Sequence, residues 1–308
     1  MAGDRFSEEE INDHRIFSRK RETEIYTNAL KEMYEDAFKA NAEIYDSAFA
    51  LTKGFVDISV DAILSDSRII KTLRYAIAPT ISQMKFGQFV GLSSVDKFEK
   101  EKLTNGAAFQ NLKSVATNIC GFVNENIDRD RFIWLDDPTK KTPIAESFAR
   151  KWTCSIAADQ NAETAYRNWR KDKQERSAHA AIESIGYTKS SFRGVVKNSN
   201  DIHAGTYTCE TRVKGRTTQK ADIVVKSRKT NSLVLIEAKA VGVELDATKR
   251  IKECCDKAND WKSSSDLSDP TVVSLIAGFF TENNIRNLEA SNVTVVWEHN
   301  LAKLKDIL

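Results

Sequence analysis

At Gly186 the hydrophobic period of the chain changes, and any fold has to accommodate a helical stretch before it and a strand-rich stretch after it. From Ser7 to about Ser65 there is no proline and a single glycine, Gly54, while Ile11, Ile16, Ile25, Leu30, Met33, Tyr34, Phe38 and Ile44 recur in part at three- and four-residue steps. That spacing lines one face of a helix, so one or two long helices are predicted. Ser7 and Glu10 have the S-x-x-E form of a capping box, in which each side chain satisfies a backbone N–H orphaned at a helix start. Further helices are predicted near residues 68–78, stopped by Pro79, and over 81–90 and 109–126; Asp136-Asp137-Pro138 and Pro143 mark an irregular connection. A long helical pattern follows Pro143 through Ile185, and Gly186 stands where a C′ glycine would end it.

Beyond Gly186 the residues are β-branched and the segments short. Strands are predicted over 206–213, 221–227 and 232–240, separated by Lys214-Gly215-Arg216 and by Arg228-Lys229-Thr230-Asn231. A helix over about 246–261, an apolar run over 272–280 and a last strand over 293–297 complete the pattern. The chain therefore reads as α/β (α+β): a mainly helical region over 1–142, then a core over 143–308 built on a mixed central sheet flanked by helices.

Composition removes several classes of function. With 46 Lys+Arg against 44 Asp+Glu the net charge is only +2, so the distribution of charge and not its sum has to indicate the partner. The five cysteines form no C-x-x-C pair, which points to a reducing, cytoplasmic setting and against a zinc ribbon or redox motif. No apolar run approaches the roughly 20 residues that cross a bilayer, and the N-terminus is polar and acidic, so neither a membrane span nor export is expected. The four histidines are scattered, and no phosphate-binding G-x-x-x-x-G-K-[ST] loop exists. The basic run 15–21 is flanked by Asp13 and Glu22 and reads as a solvated helix face. Cys254 and Cys255 read as packing residues.

One constellation carries chemistry. Ala221-Asp222-Ile223-Val224-Val225 and Leu233-Val234-Leu235-Ile236-Glu237-Ala238-Lys239 flank the turn 228–231; closing Ser227 against Ser232 and counting back sets Asp222 opposite Glu237. Strand alternation then puts Leu233, Leu235, Glu237 and Lys239 on one face. Two like charges held opposite one another destabilise a sheet, and a divalent cation offsets the repulsion. Mg²⁺, with Mn²⁺ able to substitute, takes oxygen ligands from one or two carboxylates, so Asp222 and Glu237 are expected to bind it, with Lys239 acting on the water or the phosphate. Ordinary ion pairs with Lys239, Lys220 or Arg212 are the competing reading. Both acids interrupt aliphatic runs, where a merely solvated charge is least expected.

A third carboxylate is sought in Glu183, on the preceding helix, or Glu210, on the preceding strand. Arg212, Lys214, Arg216 and Lys220, with Tyr207, form a basic, partly aromatic edge suited to duplex DNA. On the following helix Ala247, Ile251, Cys254, Ala258 and Trp261 make a buried stripe, and Lys249, Arg250 and Lys252 lie off it near the N-terminus, positioned for phosphates.

The strand–turn–strand bearing Asp222, Glu237 and Lys239 resembles the PD-(D/E)xK nuclease motif, with Ala221 where the proline often stands. The similarity extends to the XamI-type group of type II restriction endonucleases. It is carried by the charged, Gln-Glu-containing helix and Gly-aromatic step of residues 170–187, by Thr248-Lys249-Arg250, by Lys257 and Trp261, and by Pro79-Thr80-Ile81-Ser82, covering about Pro79 to the C-terminus. Residues 241–245 depart from it, being apolar where that group is polar, and residues 1–65 have no counterpart. The resemblance implies a Mg²⁺-dependent endonuclease cutting double-stranded DNA at a specific sequence. It further implies a homodimer matched to a palindromic site and a cognate DNA methyltransferase as functional partner. The residues alone leave open a non-catalytic DNA-binding protein on a nuclease-like fold, or a repair or recombination nuclease.

Overall fold

Helix α1 (Glu8–Leu51) starts at the expected capping box: the Glu10 N–H donates to Ser7 Oγ at 3.2 Å and the Ser7 N–H to Glu10 Oε2 at 2.8 Å. The computed structural model describes residues 5–308; the first four residues of the polar N-terminus lie outside them. Helices α2 (Val60–Ser65), α3 (Ile69–Ala76), α4 (Gln83–Val90), α5 (Asp96–Lys100) and α6 (Gly106–Asn126) follow, and α7 (Pro143–Ser184) opens at Pro143 and gives way to Gly186 at φ 92°. The helical half is thus as expected, apart from the five-residue α5, which is too short to show a period.

By its own packing the chain divides into two units, Met1–Asn28 with Tyr166–Leu308, and Ala29–Ala165; both divisions fall inside long helices, α1 and α7, and not in loops. The Ala29–Ala165 unit is all helical around Phe55, Ile63, Leu73, Phe86, Ile119 and Trp134. Within it, Arg74 is buried and donates to both oxygens of the buried Glu99, at 2.7 and 3.1 Å.

The other unit contains the sheet. Its strands are β1 (Thr188–Lys189), β2 (Val195–Val196), β3 (Thr206–Lys214), β4 (Thr218–Lys226), β5 (Leu233–Val241), β6 (Thr271–Gly278) and β7 (Thr294–Trp297), in the order β1-β3-β4-β5-β6-β7, with β2 also pairing β3. β3, β4 and β5 form an antiparallel meander, and β6 and β7 add in parallel through the crossover helices α8 (Glu244–Lys262) and α9 (Glu282–Ala290). The short α10 (Leu304–Ile307) closes the chain. The mixed sheet flanked by helices, following a mainly helical N-terminal region in the chain, is the α/β arrangement expected.

Alternation along β5 separates two cores. Leu233 and Leu235 pack with Ala247, Ile251, Cys254, Ala258 and Trp261, the α8 stripe read from the sequence. Val234 and Ile236 pack on the opposite face with Ala178 and Ile182 of α7. The run 272–280 stops pairing at Gly278, whose φ is 97° and where a Cβ would stand 2.0 Å from the Val241 carbonyl oxygen, so only glycine lets β5 and β6 approach there. Helix α9 was not expected; its start is a capping box between Thr281 and Asn284, a variant of the S/T-x-x-E/Q signature with an amide at the third position.

Candidate active site

The β4–β5 ladder runs from Lys226↔Leu233 to Ile223↔Ile236, after the Ser227 N–H donates to the Ser232 carbonyl at 3.0 Å. Its register is the one counted from the turn, and the next pair would be Asp222 with Glu237. Pairing stops one step short of it. There the strands part, and Asp222 Oδ2 enters the gap to accept the Ala238 N–H at 2.8 Å.

Glu237 and Lys239 point towards α8, as alternation requires. The Glu237 side chain is 0% exposed, and its oxygens are held from two directions. Lys239 donates to Oε2 at 2.7 Å, and Lys257, from α8, lies 2.9 Å from both oxygens. Lys239 Nζ is also 3.7 Å from Asp222 Oδ2. Burial works against the Lys239 ammonium, but the Glu237 and Asp222 carboxylates outweigh it and hold its pKa above the ordinary value. The repulsion between the two acids is therefore already offset by ammonium groups, because a carboxylate taken fully out of water requires a counter-charge in contact.

A second group of acids meets at Asp222. Ligand oxygens of Asp222, Glu210 and Glu175 lie within 4.8 Å of one another. Glu210 faces Asp222 across β3 and β4, between the pairs Cys209↔Ile223 and Thr211↔Ala221, with φ at 51°. A non-glycine residue in the left-handed region is uncommon and interrupts strand alternation. The interruption is visible on β4, where Ala221 and Val224, three residues apart, both join the α8-side core. On β3, the hydroxyls of Thr208 and Thr211 hydrogen-bond at 2.9 Å.

Glu175 comes from α7, whose residues at four-residue spacing follow β3: Glu175 lies by Glu210, His179 Nε2 is 3.2 Å from Cys209 Sγ, and Glu183 Oε1 accepts from the Tyr207 hydroxyl at 2.6 Å. Glu210 thus joins the acidic group and Glu183 does not: it lies about two turns further along the helix, and burial together with its hydrogen bond drives the Tyr207 pKa up. Of the two helical carboxylates, the one brought to the site is Glu175.

The donor set suits a hard divalent cation. Oxygens bound to one Mg²⁺ at about 2.1 Å are separated by at most about 4.2 Å, so small side-chain adjustments bring three carboxylates onto one ion. Glu175 Oε1 is buried, has no hydrogen-bond partner among the described residues and has Lys171 at 3.3 Å as an ion-pair partner. Lys171 and Lys220 pair with Glu210 from the solvent side, with side chains more than half exposed at 55% and 53%, and such pairs are weak enough to be displaced.

Arg212, Lys214, Arg216 and Lys220 are exposed along the β3–β4 hairpin, whose tip is tied to α8 where the Thr217 N–H donates to Asp260 Oδ1 at 3.1 Å. Lys249 and Arg250 are exposed near the start of α8, with Glu253 3.5 Å from Arg250. Where β5 gives way to α8 and the sequence is apolar, Val243, just before the helix, and Leu245, in its first turn, are 55% and 86% exposed. Cys254 is buried beside the site, and burial, with Glu237 nearby, pushes its thiol up to about 12, which leaves it a packing residue.

The sequence reading missed Glu175 and Lys257 as members of the site. Each stood within a segment it had singled out, the Gln-Glu step at Gln174-Glu175 and the Lys257–Trp261 spacing, but helical periodicity does not say which charged residue faces the sheet. Among the described residues no helix is long and apolar enough to cross a membrane. Comparison with curated proteins and with solved structures returns no match. A family model does match: that of the XamI restriction endonuclease covers residues 53–297, beginning earlier than the motif steps counted from Pro79. With the match spanning most of its length, this chain belongs to the XamI family of restriction endonucleases.

Proposed function

We propose that the protein is a Mg²⁺-dependent type II restriction endonuclease of the PD-(D/E)xK superfamily that cuts double-stranded DNA at a specific sequence. The observation that carries this reading is the convergence of Asp222, Glu237 and Lys239 where β4 and β5 part, in a chain of a restriction endonuclease family. Asp222 belongs to either ligand set, the pair with Glu237 expected from the sequence or the group with Glu175 and Glu210. The convergence of the three carboxylates and the occupation of Glu237 by lysines favour the second. Bound there, Mg²⁺, with Mn²⁺ as a substitute, supplies an activated water and Lewis-acid stabilisation of the phosphate. Lys239, kept protonated by the carboxylates beside it, orients the water and balances charge growing on the scissile phosphate.

In the same reading the basic residues Arg212, Lys214, Arg216, Lys220, Lys249 and Arg250 hold the phosphate backbone. Residues 143–308 are the nuclease core, and residues 1–142 serve DNA binding or dimerisation. A homodimer matches the two-fold symmetry of a palindromic site. The enzyme works in the cytoplasm, alongside a DNA methyltransferase that protects the host sequence. Digestion of a plasmid of known sequence tests the reading: with Mg²⁺ the same discrete fragments are expected from every preparation, and none with EDTA. Cutting in EDTA, or fragments without fixed ends, would refute it.

A further inference from the structure

We propose that Lys257 is a positioning residue for DNA cleavage: it shares the buried Glu237 carboxylate with Lys239 and so keeps the Lys239 ammonium beside Asp222. The inference rests on the nuclease reading above. An ammonium has three N–H donors, and Lys257 has an acceptor for each: Glu237 Oε1 and Oε2 at 2.9 Å and the Lys220 carbonyl oxygen at 2.7 Å. This tripod ties α8 to β4 and β5 at the point where those strands separate. The Lys257 ammonium also lies 5.8 Å from the ring of Trp261, which is fully buried one turn further along α8, so the side chain rises from a rigid base.

One buried anion divides its attraction between two ammonium groups. Glu237 is 0% exposed, with no water to screen it, and draws any nearby cation onto itself. Lys239 donates to Oε2 at 2.7 Å and stands 3.7 Å from Asp222. With Lys257 absent, Glu237 keeps one counter-cation, and Lys239 is drawn more fully onto it and away from Asp222 and the reacting phosphate. Lys257 touches neither metal nor DNA in this scheme; it acts through Glu237. That is a different role from the one expected of the exposed lysines, which meet phosphates directly.

Single-turnover cleavage of plasmid DNA at saturating Mg²⁺ tests this, because a purely structural defect lowers the amplitude of cutting while a positioning defect lowers its rate constant. Wild-type protein that does not cut overturns both this inference and the nuclease reading. With an active wild type, Lys257→Met is expected to lower the rate constant about a hundredfold, the scale of a small misplacement at a reacting centre. Amplitude and DNA dissociation constant should stay within about twofold of wild type, and Lys257→Arg should recover about tenfold of the loss by restoring a cation against Glu237. Should Lys257→Met fail to fold, Lys257→Gln, whose amide still donates to the carboxylate, is read in the same way, with an expected loss of about tenfold. A wild-type rate constant in either folded variant overturns the inference. So does a loss confined to amplitude, or a DNA dissociation constant weakened as much as the rate.

Discussion

Two buried ionic clusters in the sheet-containing unit use similar groups to opposite ends. In the first, Arg170 of α7 lies between Glu22 and Glu298, donating to Glu22 at 2.8–3.0 Å and to Glu298 at 2.6 and 3.1 Å. Tyr166 adds its hydroxyl to Glu22 at 2.8 Å, so all four carboxylate oxygens are engaged. In the second, around Asp222, Glu237 is equally buried and well held, but among the described residues Glu175 Oε1 has no hydrogen-bond partner and Lys239 donates only to Glu237. The first cluster is complete within the chain. In the second, Glu175 Oε1 has an ion pair in place of a hydrogen bond and Lys239 a single hydrogen bond among the described residues, which leaves both with capacity for a ligand.

That contrast can be broken most directly at Asp222 and Lys239. Replacing either by Ala is expected to abolish cleavage, a loss of at least about a thousandfold, while DNA binding measured without cutting stays largely intact. Retained cleavage in either variant would remove the chemical half of the comparison. Arg170→Met tests the structural half. It leaves two buried carboxylates without their cation and should cost about 3–5 kcal/mol in urea unfolding. An Arg170→Met protein as stable as wild type would show that the cluster is not structural. The finest test separates two carboxylates on the same helix. Glu175→Gln should slow cleavage about tenfold to a hundredfold and raise the half-saturating Mg²⁺ concentration. Glu183→Gln, whose amide oxygen can still accept from the Tyr207 hydroxyl, should leave that concentration unchanged, and equal effects of the two on Mg²⁺ would dissolve the distinction.

The hairpin was the most legible part of the molecule. Its register follows from four turn residues and the Ser227–Ser232 closure, both local in sequence, and once it is set, alternation sends Glu237 and Lys239 to one face without reference to anything distant. The same logic failed to see the left-handed Glu210, because nothing in Cys209-Glu210-Thr211 announces a positive φ in the way a glycine would. Among helices, the long α1 and α7 were readable from period, proline and the capping residues. The α9 segment was not, since its nine residues bear only Ile285 and Leu288 as buried apolar markers. The basic run near the start of α1 reads as a solvated face, yet Arg15 donates to the Phe280 carbonyl at 2.9 Å and Arg19 pairs with Glu244. Its charge pattern gave no sign that a strand end would pack there.

The amino-acid sequence by itself determined the change of period at Gly186, the capped helices, the meander of β3, β4 and β5, and the shared face of Glu237 and Lys239. All of these depend on dihedral preferences and burial within a few residues. Only the tertiary structure decided that Glu175 and not Glu183 reaches the acidic group, that Glu210 turns towards it, and that Lys257 supplies the second cation for Glu237. Those choices depend on the rotation of α7 and α8 over the sheet to within a fraction of a helical turn, and packing of whole elements sets that angle, not the residues that display its result.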